Sequence, residues 1–249
     1  MLARAAALTD INPAEYRADL VVLLDGAEVL GRAALLATLR LSDERQVLYS
    51  DLVFAALSEA ARAALEDLTG TPMTGGDTLR TLVGLARYPS LIHGPAHWSR
   101  VRRFGALLAE KEQLPGAARA CVEIFALLHD LAREDDGGGN QHAIDGAAYM
   151  DEVIPAVFGR LSLDQIKTVR VAIRSHSDGM VARQASDNGL FDRLDWPRDL
   201  LTRTVGCCWD ADRLDLPRVG IHPVPELMST AGWRDVLTLS LRIHDGIRG

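Results

Sequence analysis

The 249-residue chain carries 27 Lys and Arg against 34 Asp and Glu, a formal net charge of −7, with 48 % hydrophobic and 24 % charged residues. These are the proportions of a globular protein with room for one large domain, or a compact domain and a smaller appendage. They exclude non-specific nucleic-acid binding, since no Lys/Arg-rich run exists to release counterions, and no apolar stretch reaches the roughly 18–20 residues of a membrane span.

Helix signals dominate from the start of the chain. "NPAE" (12–15) offers Asn12 as an N-cap and Pro13 at the first helical position. Between 42 and 68, Val47, Leu48, Leu52, Val53, Ala56 and Leu57 recur close to a 3.6-residue period. "GTPMTGGD" (70–77) breaks the pattern, and Asp77 can cap a further helix to about Arg87. An amphipathic helix is expected from Pro95 to Leu114, stopped by Pro115-Gly116, then a buried one in "ARACVEIFALLHDLA" (118–132). Three consecutive glycines make "DDGGGN" (135–140) a loop. "SLDQIKTVRVAIRSH" (162–176) opens with a Ser162/Gln165 capping box and places Ile166, Val169 and Ile173 on one face. A long polar loop (177–197) follows, then a helix through "CCWDADRLDL" and a last helix after Pro225. No strand pattern recurs, and the expected fold class is all-α. Residues 1–85 read as a helical extension packed on a domain spanning 86–249, with Gly75-Gly76 marking the join.

Cys121, Cys207 and Cys208 are odd in number and include a vicinal pair, so they read as small buried thiols of a reducing compartment rather than a disulfide framework. The opening "MLARAAALTDINPAEY" lacks the apolar core of a signal peptide. A cytoplasmic location is the expectation.

Five of the seven histidines (His93, His97, His129, His142, His176) fall between 93 and 176, at or near helix termini. His222 and His244 stand apart and read as structural. Imidazoles and carboxylates together suit borderline divalent metals such as Fe, Mn, Co and Zn. The doublet His129-Asp130 follows the apolar "FALL", and a buried helix that turns a carboxylate inward is penalised unless a cation compensates it.

Three segments carry a resemblance to the HD metal-dependent phosphohydrolase superfamily. "HGPAHWSRV" (93–101) looks like the family's first-histidine helix and maps the first ligand onto His97. "LLHDLA" (127–132) looks like the doublet that names the family. "WDADRLDLPRVGIHP" (209–223) looks like its last helix, with Asp212 the implied ligand and Asp210 a second choice. In members with a second metal, two further histidines take part; "NQHAIDGAAYM" supplies His142 and "VAIRSHSDG" supplies His176. The resemblance covers about residues 88–222.

It implies an all-α fold, one or two divalent ions (Mn, Fe, Co, Zn or Mg), and hydrolysis of a small phosphorylated substrate, nucleotides among them, by a metal-activated water. Arg133, four residues after His129, is the implied phosphate-neutralising cation; alternatively it is a surface arginine paired with Glu134 or Asp136. Glu134 and Asp135 either orient the water or form a solvated helix end. His93 either supports a ligand and protonates a leaving group or merely opens its helix. Arg100 and Arg213 suit bidentate fixing of carboxylates, and Trp98 and Trp209 suit core packing better than base stacking. The chain has "HDLAR" where the cyclic-dinucleotide branch has "HDIGK", and it has no "GYP". Two other functions fit the pattern: a di-iron oxygenase of the same fold, and a regulatory or binding module whose metal is structural.

Overall fold

A computed structural model describes residues 85–88, 90, 92–157 and 161–248. The N-terminal extension and its join at Gly75-Gly76 lie outside these residues. Among them the chain is all-α, with no strand: α1 (Pro95–Lys111), α2 (Gly116–Leu128), α3 (Gln141–Val157), α4 (Leu163–Ser175), α5 (Ala182–Asp187), α6 (Arg198–Arg213) and α7 (Trp233–Arg248), with two short 3-10 turns between α6 and α7. No helix of the described residues is long and apolar enough to cross a membrane.

The most apolar helix is central. In α2, Cys121, Val122, Ile124, Phe125, Ala126 and Leu128 are all buried, so nearly every face must find a partner. It finds α1, α4 and α6, which pack around it, while α3 lies on α4 and α7 on α1. Trp98 and Trp209 belong to this core, as expected, and Trp209 donates its Nε1–H to the Ala172 carbonyl at 2.9 Å. The three cysteines are buried free thiols.

Helix ends follow local chemistry. α1 stops three residues earlier than its apolar pattern suggests, because Gln113 adopts φ 52° and Leu114 N–H returns to the Ala109 carbonyl; Pro115 then prevents continuation. The Ser162/Gln165 capping box of α4 forms as expected. At the other end of the site, a side chain on Gly94 would run into the Ser90 carbonyl oxygen, so the turn delivering α1 requires glycine there. Two expectations change. The loop 177–197 contains α5, formed because Ala182, Ala185 and Ser186 bury one side and Gln184 Oε1 accepts the Val181 N–H at 3.2 Å. Residues 141–157, unassigned from sequence, form α3.

Candidate metal centre

His129 ends α2 and His176 ends α4 in the same way. Each is the C-cap residue, and each turns its Nδ1–H back onto carbonyls of its own last turn. For His129 these are Phe125 and Ala126, both at 3.2 Å; for His176 it is Ile173 at 2.7 Å. The tautomer is thereby fixed, and the Nε2 lone pair of both rings faces inward. His97, on the first turn of α1, reaches the same state by another route. Its Nδ1–H goes to Asp215 Oδ2 at 2.7 Å, and Asp215 is itself clamped by Arg100 through Nε and Nη2 at 2.6 and 2.9 Å. All three of these residues are buried.

The result is two Nε2 atoms that face one another: His97 Nε2 lies 3.0 Å from His129 Nε2. Two carboxylate oxygens complete the group. Asp130 Oδ2 is 3.4 and 3.5 Å from the two Nε2 atoms, and Asp212 Oδ1 is 3.3 and 3.6 Å from them. Ligands about 2.1 Å from a common ion stand about 3.0 Å apart in an octahedron and about 3.4 Å apart in a tetrahedron. The observed separations are ones that a shared ion allows, and His97, His129 and Asp212 form a group that could hold one. The donor set of two imidazoles and two carboxylates fits a divalent ion on chemistry as well as spacing.

A second group adjoins the first through Asp130, which turns its other oxygen toward it. Asp130 Oδ1, His142 Nε2 and His176 Nε2 are mutually 3.1, 3.5 and 3.8 Å apart. His93 completes a third grouping, with Nδ1 2.8 Å from Asp130 Oδ2. The structure therefore brings together His97, His129, Asp130, Asp212, His142, His176 and His93, from five helices and the turn before α1.

Charge is arranged accordingly. Burial works against ionising Asp130, yet His129, His93 and His97 hold it well below the usual carboxylate range. Asp212 is held low in the same manner by His129 and His97. Burial and Arg218 oppose a proton on His97, but Asp130, Asp212 and Asp215 outweigh them and push it up to about 9. Without an ion, a proton on His97 supplies the positive charge this half demands. Across the centre the balance reverses: burial, His176 and Arg133 bring His142 down to about 4, and burial lowers His176 as well.

The remaining expected residues divide. Arg133 is buried and belongs to the centre, with Nε 2.9 Å from Asp130 Oδ1 and Nη2 3.2 Å from His142 Nε2. Glu134 does not: its side chain is 76 % exposed and its cationic neighbour is Arg87, at 4.0 Å. Asp135 caps its own loop by accepting the Gly137 N–H. Asp210 is also elsewhere. Residues two apart on a helix point about 200° away from each other, so with Asp212 facing the centre, Asp210 faces the opposite loop. There it accepts the N–H groups of Ser229 and Thr230 and the Thr230 hydroxyl at 2.7–2.9 Å. Arg213 is bonded to the Met180 and Leu227 carbonyls, so of the two arginines it is Arg100 that makes the bidentate carboxylate contact. His222 is exposed and outside the centre.

Two contributors went unread in the sequence. Asp215 lies three residues after Asp212, the spacing that shares a helix face, and that spacing was the available signal. Arg218 lies three further on; it donates to the Asp215 and Ile92 carbonyls and reaches His93 Nδ1 at 3.1 Å. No family model, curated protein or solved structure matches the chain.

Proposed function

We propose that the chain is a metal-dependent phosphohydrolase of the HD type, acting on a nucleotide or another small phosphorylated molecule. The observation that supports this reading is the group of His97, His129, Asp130 and Asp212, in which both carboxylates lie 3.3–3.6 Å from two imidazole Nε2 atoms that are themselves 3.0 Å apart. A divalent ion held there would supply an acidified water and a polarising contact to a phosphoryl oxygen. The chain's own groups do the rest. Asp212 is the ligand with an edge to solvent, its side chain 20 % exposed against 2 % or less for the other three. His93, at 14 %, lies on the other side of Asp130. A substrate approaching over this edge meets His93, which burial keeps below its ordinary pKa, so it is neutral near pH 7 and suited to accept a proton. Arg133 uses one N–H on each of its three nitrogens, which leaves two of its five for a phosphoryl oxygen.

The test is phosphate release from a panel of nucleotides and small phosphomonoesters and phosphodiesters with Mn, Co, Fe, Zn or Mg added. Turnover dependent on metal and lost in Asp212→Ala is expected. A second reading, oxidation at a di-iron pair, is favoured by the adjoining Asp130/His142/His176 group. No phosphate release with any metal, together with oxygen uptake by the iron-loaded protein, would replace the first reading by the second.

A further inference from the structure

The two halves of the centre differ in what surrounds their donor atoms. Around His97 Nε2 and His129 Nε2 the polar neighbours are each other and the carboxylates of Asp130 and Asp212. Around Asp130 Oδ1 and His142 Nε2 there is also a guanidinium. An imidazole nitrogen has one lone pair, and arginine can only donate. Arg133 Nη2 at 3.2 Å therefore competes, beside the Ser177 hydroxyl at 3.2 Å, for the His142 lone pair that a metal would use, and Nε at 2.9 Å takes one on Asp130 Oδ1. A third bond, from Nη1 to the Gly137 carbonyl at 2.9 Å, ties the group to the glycine loop. Arg133 is 8 % exposed, so this is a built contact and not a passing one. Its charge persists at any physiological pH.

We propose that Arg133 serves as the resident cation of the second half, closing Asp130 Oδ1, His142 and His176 to metal, so that the protein takes one divalent ion and not two. The inference rests on the metal-centre reading given above and sharpens it. The single ion sits in the His97/His129/Asp130/Asp212 half. Beside it stands a fixed monovalent charge whose free N–H groups suit the oxygens of a phosphate monoester or diester. A second ion can enter only if Arg133 releases His142 and the Gly137 carbonyl together.

Mn(II) alone is the probe, on the full chain, with bound metal counted after equilibrium dialysis and the spin state read by low-temperature electron paramagnetic resonance. The wild-type protein is expected to bind one Mn(II) at saturation and to show an isolated-ion spectrum. Arg133→Gln and Arg133→Met are expected to bind two and to show an exchange-coupled pair, and adding His142→Ala to either should return the count to one. A wild-type protein that takes two coupled ions overturns the proposal and leaves the metal-centre reading standing. A count of one in both variants, folded by circular dichroism, also overturns it. A wild-type protein that binds no Mn(II) removes both. The wild-type spectrum decides the matter even where a variant does not fold.

Discussion

Replacing Asp215 by Asn separates two duties that one buried carboxylate performs. Asp215 accepts from Arg100 Nε on one oxygen and from Arg100 Nη2 and His97 Nδ1 on the other, at 2.6–2.9 Å, with none of the three side chains exposed. Asn has one acceptor oxygen. It does best by placing that oxygen toward Nη2 and His97, which turns its NH₂ against Arg100 Nε and leaves a guanidinium without its counter-charge. Breaking a buried pair from one side costs about 3–5 kcal/mol. The metal-free variant is therefore expected to unfold at lower urea by about that much. The His97 bond survives in weakened form, and loss of a charged partner behind a metal-binding imidazole typically costs about 10–100-fold in affinity, or about 1.4–2.7 kcal/mol. Competition titration with Zn(II) or Mn(II) measures this second effect. Adding Arg100→Met removes the stranded charge, so Asp215→Asn/Arg100→Met should regain most of the stability and none of the affinity. Stability within about 1 kcal/mol of wild type for the single variant, or affinity unchanged within twofold, would refute this assignment of Asp215.

The two neighbouring aspartates of α6 should behave oppositely. Asp210→Ala strands the buried Thr230 N–H and hydroxyl and the half-buried Ser229 N–H and is expected to cost about 2–5 kcal/mol in urea unfolding while metal binding persists, whereas Asp212→Ala should abolish metal binding with the circular-dichroism spectrum unchanged. In metal-free protein the His97 proton contributes to stability because its pKa rises from an ordinary 6.5 to about 9 on folding. That contribution, about 3 kcal/mol, is complete below pH 6.5 and is lost as pH rises through about 9; a urea midpoint flat from pH 6.5 to 9.5 would contradict it. Gly105→Ala places a Cβ 2.6 Å from Val122 Cγ1 in the core. An overpacking cost of about 1–3 kcal/mol should outweigh the helix-propensity gain of about 1 kcal/mol, and Gly105→Ala/Val122→Ala should be more stable than the sum of the single losses.

The fold class was legible because its signals are local: periodic apolar positions, the Ser162/Gln165 box and the Pro115-Gly116 stop each act within a few residues. The candidate ligands were legible because a charged or imidazole residue at the end of an apolar run, as in "FALLHD", asks what compensates it. α5 and α3 were hidden for a physical reason: α5 is six residues long and is held by burial of Ala182 and Ala185, and such packing comes from elsewhere in the chain. Arg133 could be placed near His129 by spacing alone. That its three nitrogens would engage Asp130, His142 and Gly137 depends on the path of the glycine loop, which no spacing rule specifies. Asp215 is the opposite case, since its i+3 relation to Asp212 was on view and only its partner Arg100, 115 residues away, was not.

That His129 is the C-cap of its helix also bears on how fast an ion held there would come and go. The last turn of a helix opens far more readily than the bundle unfolds, at a free-energy cost well below the global one. When that turn of α2 frays, the Nδ1–H of His129 loses the Phe125 and Ala126 carbonyls together with its enforced tautomer, and the ring is free to turn away. Release of an ion held by His129 would then proceed by local opening, at a rate set by the end of α2, while the rest of the core around Trp209 stays shut. Metal exchange and protein turnover would thereby run on separate clocks, and the chain could trade one ion for another without passing through its unfolded state.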